Sequence, residues 1–206
     1  MRKCLVLTLL CGLFCLGGGV SFAKNSKTLR NTTRPSKKPL ATFASLKAHF
    51  SQKQYFSFMT APVISTGEIY LSKKRMAWIT LQPSESWIVM DGASTKLFYP
   101  ALKKQQVLSK QNPMMSAVAK NLSMLTRADL KGLQRFYVVK KQAEIWTMTP
   151  KINALKKVIS SLRLKLDPKG FARWVEVKAP DGDRMEVSFS KVQLNVPAPK
   201  KYFGKS

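Results

Sequence analysis

Cysteine is scarce in this sequence, and its placement is informative. The 206 residues hold three, Cys4, Cys11 and Cys15. All three lie in a leader-like segment, so a chain that loses that segment can form no disulfide and no thiolate metal site. Histidine is rarer still: His49 is the single one, against ten acids. No Ser-His-Asp set stands out around a lone base. No Walker loop and no dinucleotide fingerprint occur. Asp181-Gly182-Asp183 offers two acids in a tight turn, short of the roughly six to eight oxygens that calcium takes. An inventory this poor excludes most catalytic and metal-dependent classes. No enzymatic activity, cofactor or metal is expected.

Long apolar runs are also missing after the first residues. Arg2-Lys3 is a basic start, Leu5–Leu16 an apolar stretch, and Ser21-Phe22-Ala23 a small-x-small cleavage site. Together they read as a secretory signal peptide over residues 1–23. The run is short for a membrane span and Gly17-Gly18-Gly19 interrupts it. A lipid-modified cysteine needs a small residue before it, but Leu10 and Phe14 precede Cys11 and Cys15. Residues 24–38 carry six cations and no acid, and are expected to be a disordered basic arm. Residues 39–206 are long enough for one domain with one core.

The formal net charge is +26. Such a charge suits nucleic acid or an anionic membrane surface. Export argues against nucleic acid, and the cations are dispersed with no long basic run. A solvated basic surface and an attraction to anionic lipid or an acidic partner both fit.

What is abundant is bulky apolar residues in short runs. Glu68–Ser72, Met76–Leu81, Trp87–Met90, Leu97–Tyr99 and Gln105–Leu108 read as strands, separated by Lys73-Lys74, Gln82-Pro83, Asp91-Gly92 and Pro100. This is the pattern of an antiparallel meander that curls into a sandwich or barrel. Alternation sets Met76 and Trp78 on one face, Ala77 and Ile79 on the other, and Trp87 and Val89 pair in the same way. Upstream, Pro39 opens an expected helix on which Phe43, Leu46 and Phe50 form a stripe. That stripe serves either core packing or a lid over a barrel mouth. His49 lies on the same helix and reads as structural. Tyr55–Thr60 is expected as the first strand.

After Gln105–Leu108 the period lengthens to helical. Asn112-Pro113 starts a helix that carries Met114, Met115, Val118, Leu122 and Leu125 on one face, again core or lid. Its methionines suit a surface that accepts varied apolar ligands. A second helical turn is expected within Arg127–Leu133. Strands return at Phe136–Lys140, Ile145–Thr149, Val158–Leu166, Phe171–Lys178 and Met185–Lys191. Asp167–Gly170 and Pro180–Asp183 are hairpin turns. The proline-bearing tail Asn195–Tyr202 reads as irregular. A sheet with an apolar face, covering segments and an export signal describes a carrier of apolar ligands.

Several motifs carry a resemblance. Phe50-Ser51-Gln52 is similar to an F-x-Q signature, and Gly67–Leu71 to a G-x-L-y-L strand. Lys73–Trp78 matches a basic turn followed by an apolar residue and Trp. Pro83, Asp91-Gly92, Leu97–Pro100 and Trp146–Lys151 follow in order. In this order the chain resembles the LolA family of periplasmic outer-membrane lipoprotein carriers, from about Leu46 to Phe203. The resemblance implies an α+β, mainly β fold: an unclosed antiparallel β-barrel of about eleven strands with an α-helical lid. It implies a cavity for lipoprotein acyl chains, with Met76 and Trp78 facing it and Ile69, Leu71, Trp87, Val89 and Phe98 expected beside them. Phe43, Leu46, Phe50, Met114, Met115, Val118 and Leu122 would be lid residues. Lys74 would match the family arginine that latches the lid, with Lys73 and Arg75 as alternatives. Lysine lacks the planar fork of arginine.

The implied partners are lipoproteins through their acyl chains, an inner-membrane lipoprotein-releasing ABC transporter, and an outer-membrane receptor or membrane surface. No nucleic acid partner is expected, and the carrier would be a periplasmic monomer. A carrier of another lipid, or a sensor of mislocalised lipoproteins, could share the fold.

Overall fold

The computed structural model describes residues 43–72, 75–91, 94–108 and 130–203. Eleven strands form one antiparallel sheet: β1 Ser45–Tyr55, β2 Val63–Ser72, β3 Arg75–Gln82, β4 Ser86–Asp91, β5 Ser94–Tyr99, β6 Lys104–Leu108, β7 Tyr137–Gln142, β8 Ile145–Pro150, β9 Ser161–Leu166, β10 Ala172–Lys178 and β11 Arg184–Leu194. Among the described residues three helical turns accompany them: α1 Leu130–Leu133, α2 Asn153–Lys156 and, after the last strand, α3 Lys200–Phe203. The spatial order is β6-β5-β4-β3-β2-β1-β11-β10-β9-β8-β7. The first and last strands of the chain's two meanders, β1 and β11, meet in the middle. β6 and β7 are the free edges, so the sheet is not closed. Both edges are rich in lysine and glutamine, which discourages pairing with another chain.

The expected helix over residues 39–50 is the main correction. Ser45–Tyr55 is a strand, and its burial alternates: Leu46, Ala48, Phe50, Gln52 and Gln54 are buried, whereas Ser51 and Lys53 are exposed. The stripe Phe43, Leu46, Phe50 has helical spacing, but Leu46, Ala48 and Phe50 also share one strand face. The strand wins because it gains two ladders at once, to β2 and to β11. Leu46 and Phe50 are therefore wall residues and not lid residues. Phe43 precedes the strand and meets Phe171 edge to face at 5.4 Å. The segment expected as the first strand, 55–60, is mostly the turn that follows β1. The other expected strands fall within or close to β2–β11. Gly170 (φ 86°) and Gly182 (φ 93°) occupy left-handed positions in the two expected hairpin turns, conformations open to glycine at little cost. α1 falls in the expected Arg127–Leu133 turn. The helix bearing Met114, Met115, Val118 and Leu122 lies outside the described residues.

Candidate functional site

Register decides which side chains share a face. The ladder β5-β4-β3-β2-β1 aligns Leu97, Ile88, Trp78, Ile69 and Ala48 across one side of the sheet. The next aligned row on that side is Thr95, Met90, Met76, Leu71 and Leu46. β11, β10, β9 and β8 extend the same surface with Met185, Val177, Leu162 and Met148. One apolar cluster thus spans from Ile88 on β4 to Val139 on β7, with Leu71, Met76 and Met90 as a satellite group. This side is concave. Trp78 and Phe189 come from strands three places apart, about 14 Å on a flat sheet, yet their rings meet at 6.3 Å.

Phe50 and Trp78 form the centre of the concave wall, with ring centroids 4.2 Å apart. Gly67 makes room for them. It faces Phe50 across the ladder, and a Cβ there would lie 2.8 Å from the Phe50 ring and 1.9 Å from the Ile79 carbonyl oxygen. The G in the strand motif is therefore a steric requirement of the close β2–β3 approach first and of the Phe50 ring second.

The expected cavity residues divide between two faces. Ile69, Leu71, Met76 and Trp78 stand together on the concave side. Trp87, Val89 and Phe98 stand on the opposite side, because Trp87 is aligned with Ile79 and Phe98, and Val89 with Ala77. That convex patch also holds Tyr70 and is covered by Val196, Ala198, Tyr202 and Phe203 from the C-terminal tail. The tail is tied down at its start: the Ala44 N–H donates to Asn195 Oδ1 at 3.0 Å, the Asn195 N–H to the Ser45 carbonyl at 2.8 Å, and the Ser45 hydroxyl to the Val196 carbonyl. Nothing in the tail's sequence beyond its aromatic pair signals this role. Lys74 and Lys73 lie outside the described residues. Arg75 sits on the convex side, 3.5 Å from Asp91 and over the Phe203 ring, so it braces the tail.

The concave wall carries little charge. Among the described residues no three His, Cys, Asp or Glu side chains group as a metal site. His49 lies on the convex side, 3.6 Å from Glu68, which also pairs with Lys47 at 3.0 Å. Glu176, almost fully buried, is held by Arg163 and Arg184 on the convex side of β9–β11. Tyr137 is buried on the concave side, and burial pushes its hydroxyl up to about 12, so it stays neutral. Two amides interrupt the apolar wall. Gln52 and Gln54 are buried in β1, and Gln54 Nε2 has no hydrogen-bond partner among the described residues. Such a wall can hold an apolar molecule by burial, with one free donor near its β1–β2 end.

A family model for the outer membrane lipoprotein carrier protein LolA matches residues 41–205. The chain belongs to the LolA family. No curated protein sequence matches it. Among solved structures it is similar to a domain described as outer membrane lipoprotein-sorting from Vibrio parahaemolyticus, at 12% identity and TM-score 0.45, covering 80% of this chain and 91% of that one. A LolA superfamily protein from Nitrosomonas europaea is 10% identical, with TM-score 0.40 and coverage of 78% and 90%. The lipoprotein LppX of Mycobacterium tuberculosis is 9% identical, with TM-score 0.41 and coverage of 76% and 89%. In this LolA-family chain the fold is an unclosed sheet with an apolar concave face.

Proposed function

We propose that the protein is a soluble periplasmic carrier that takes the acyl chains of lipoproteins against its concave face and moves them from the inner to the outer membrane. The observation that carries this reading is the continuous, nearly charge-free concave wall centred on Phe50 and Trp78 in a LolA-family chain. Burial of each methylene contributes about 0.8 kcal/mol. One long acyl chain could thus contribute on the order of 10 kcal/mol before the cost of parting the packed wall. Release then needs only a receiver with a better apolar surface; no chemical step or nucleotide is required of the carrier. Gln54 would offer its free N–H to a carbonyl at the head of the chains. Donor and receiver would be a lipoprotein-releasing transporter of the inner membrane and a receptor or lipid surface at the outer one.

The test is lipoprotein release. Purified exported protein is added to spheroplasts, and the medium is probed for soluble lipoproteins bound to it. Release that is lost in Trp78→Glu and weakened in Gln54→Leu is expected. Full release by Trp78→Glu would refute the site. No release, with another class of lipid found in the purified protein by mass spectrometry, would shift the cargo while keeping the concave site.

A further inference from the structure

The antiparallel order places the β1–β2 and β10–β11 hairpins, the β3–β4 turn, the Pro100–Leu102 turn and the α2 connection along one end of the sheet. That end is unusually apolar for a surface. Phe58 is 71% exposed, Leu102 63% and Ile64 53%, and Met59, Leu81 and Ile152 are exposed with them. Only Val107 and Leu194, of the large exposed hydrophobics among the described residues, lie toward the opposite end. Exposed apolar groups concentrated on one edge mark an interaction surface.

The most exposed of them is also well supported. Phe58 stacks on Phe56 at 5.4 Å, and Phe56 is buried against Ala179 of the neighbouring hairpin. The Met59 N–H donates to the Phe56 carbonyl at 3.0 Å, and the Ser57 N–H to Asp183 Oδ1 at 2.8 Å. The tip is therefore held in shape while Phe58 and Met59 project into water, and little ordering cost remains to be met on docking.

Charge at this end points to the partner. Lys53, Lys103, Lys104, Lys156, Lys157 and Lys178 are all exposed there, and none forms an ion pair among the described residues. The acids at the same edge are Glu85, Asp181, Asp183 and Glu186; Asp183 accepts from the Ser57 N–H, and Glu186, across the ladder from Lys53, is paired with Arg184 at 3.0 Å. Lys53 stands directly across the ladder from Ile64. Apolar side chains set singly on separate hairpins, with lysines between them, match a flat and laterally uniform partner better than a pocketed one. Apolar groups that enter the headgroup boundary while cations meet anionic lipid are the two components of interfacial binding.

We propose that this end of the sheet docks on an anionic lipid bilayer, with Phe58 and Met59 entering the interface and the surrounding lysines meeting lipid phosphates. The proposal concerns where the protein lands and holds whichever lipid it carries. The experiment is co-sedimentation of the purified exported protein with vesicles of phosphatidylglycerol and phosphatidylethanolamine, and with phosphatidylcholine vesicles as the neutral comparison. Binding to the anionic vesicles is expected, with a loss of about tenfold or more in Phe58→Ser/Met59→Ser. A comparable loss is expected in Lys156→Glu/Lys157→Glu. Leu194→Ser and Lys169→Glu, at the other end, should stay within about twofold of the unsubstituted protein.

The proposal is overturned if the Phe58/Met59 variant binds like the unsubstituted protein, if the opposite-end variants lose as much, or if no vesicle is bound. A second readout does not depend on removing a side chain. Phe58→Trp should gain fluorescence that brominated acyl chains quench, and unquenched fluorescence in bound protein overturns the insertion. Lipoprotein release in the same variants separates this surface from the concave site: vesicle binding can fail with cargo binding intact, and the reverse.

Discussion

The two faces of β2–β4 are both apolar, yet the chain treats them differently. The convex face, with Tyr70, Ala77, Ile79, Trp87 and Val89, is roofed by the protein's own tail. The concave face runs from Ile69 and Trp78 across β1 and onto β11–β8 as one cluster, with Leu71 and Met76 in a satellite group beside it. A roof that comes from the same chain is a fixed part of the fold, since it is present at a permanently high local concentration. The concave face extends over nearly the whole sheet, with Tyr137, Thr95, Gln52 and Gln54 as its buried polar points, and it is the face to which the proposed cargo is assigned. The contrast gives the convex side a role in stability and makes the concave side the place where the proposed binding is tested.

The largest effect that can break this contrast is a charge on the concave wall. Trp78→Glu would place a carboxylate where Phe50 and Phe189 now pack, at a cost of several kcal/mol if it stays buried. Lipoprotein release should vanish, and chemical denaturation should show a lowered midpoint. The matching change on the other face, Trp87→Ala, should lower stability and leave release in place. Next in size is Gly67→Ala. Its Cβ would meet the Ile79 backbone and the Phe50 ring, so β2 and β3 must separate and Phe50 must give way as well. A loss of about 3 kcal/mol and a changed tryptophan emission from Trp78 are expected.

Much of this sheet was legible in the sequence, because turn residues and period-two alternation recur about every ten residues from Gly67 onward. The parity of Met76 and Trp78 against Ala77 and Ile79 was legible for the same reason. β1 was not, because Phe43, Leu46 and Phe50 fit a helix as well as a strand, and only its two neighbours in the ladder decide between them. The split of Trp87, Val89 and Phe98 from Trp78 was hidden too. Both faces of β3 and β4 are apolar, so alternation alone cannot say which one the tail covers. The cover itself, Val196–Phe203, is eight residues that follow β11 and include two prolines, which reads locally as irregular chain. Its role depends on long-range contact with Tyr70 and Trp87, and no local pattern encodes that.

The concave side also predicts a pH response. Tyr137 has its ionisation raised from 10.0 to about 12 by burial. A raised acid holds its proton in the folded state after the unfolded chain has lost it. Its contribution is therefore complete below pH 10 and is lost as pH rises from about 10 to about 12. The unsubstituted protein should lose about 3 kcal/mol more than Tyr137→Phe across that window, measured as the difference between their denaturation midpoints. Parallel curves would remove Tyr137 from the neutral wall. On the convex side, Phe203→Ala strips one half-buried ring from Tyr70 and from the Arg75 guanidinium. A loss of about 2 kcal/mol with unchanged lipoprotein release is expected; release that falls in step would mean that the tail shapes the concave site after all.

The smallest change asks how the roof is fastened. Lys201 lies 4.6 Å from the centroid of the Trp87 ring and 3.4 Å from Glu85, whose Oε1 also accepts the Trp87 indole N–H at 3.0 Å. These contacts are well exposed, so Lys201→Gln should cost only about 0.5 kcal/mol. Their geometric value is greater than their energy, because they hold α3 over Trp87. Hydrogen exchange should therefore quicken at the amides of Tyr202 and Phe203 in Lys201→Gln, while the β2–β4 ladder beneath keeps its protection. Quickened exchange that spread into the β3 amides would show the tail to be part of the sheet's cooperative unit, and the two faces would then be coupled through the strands they share.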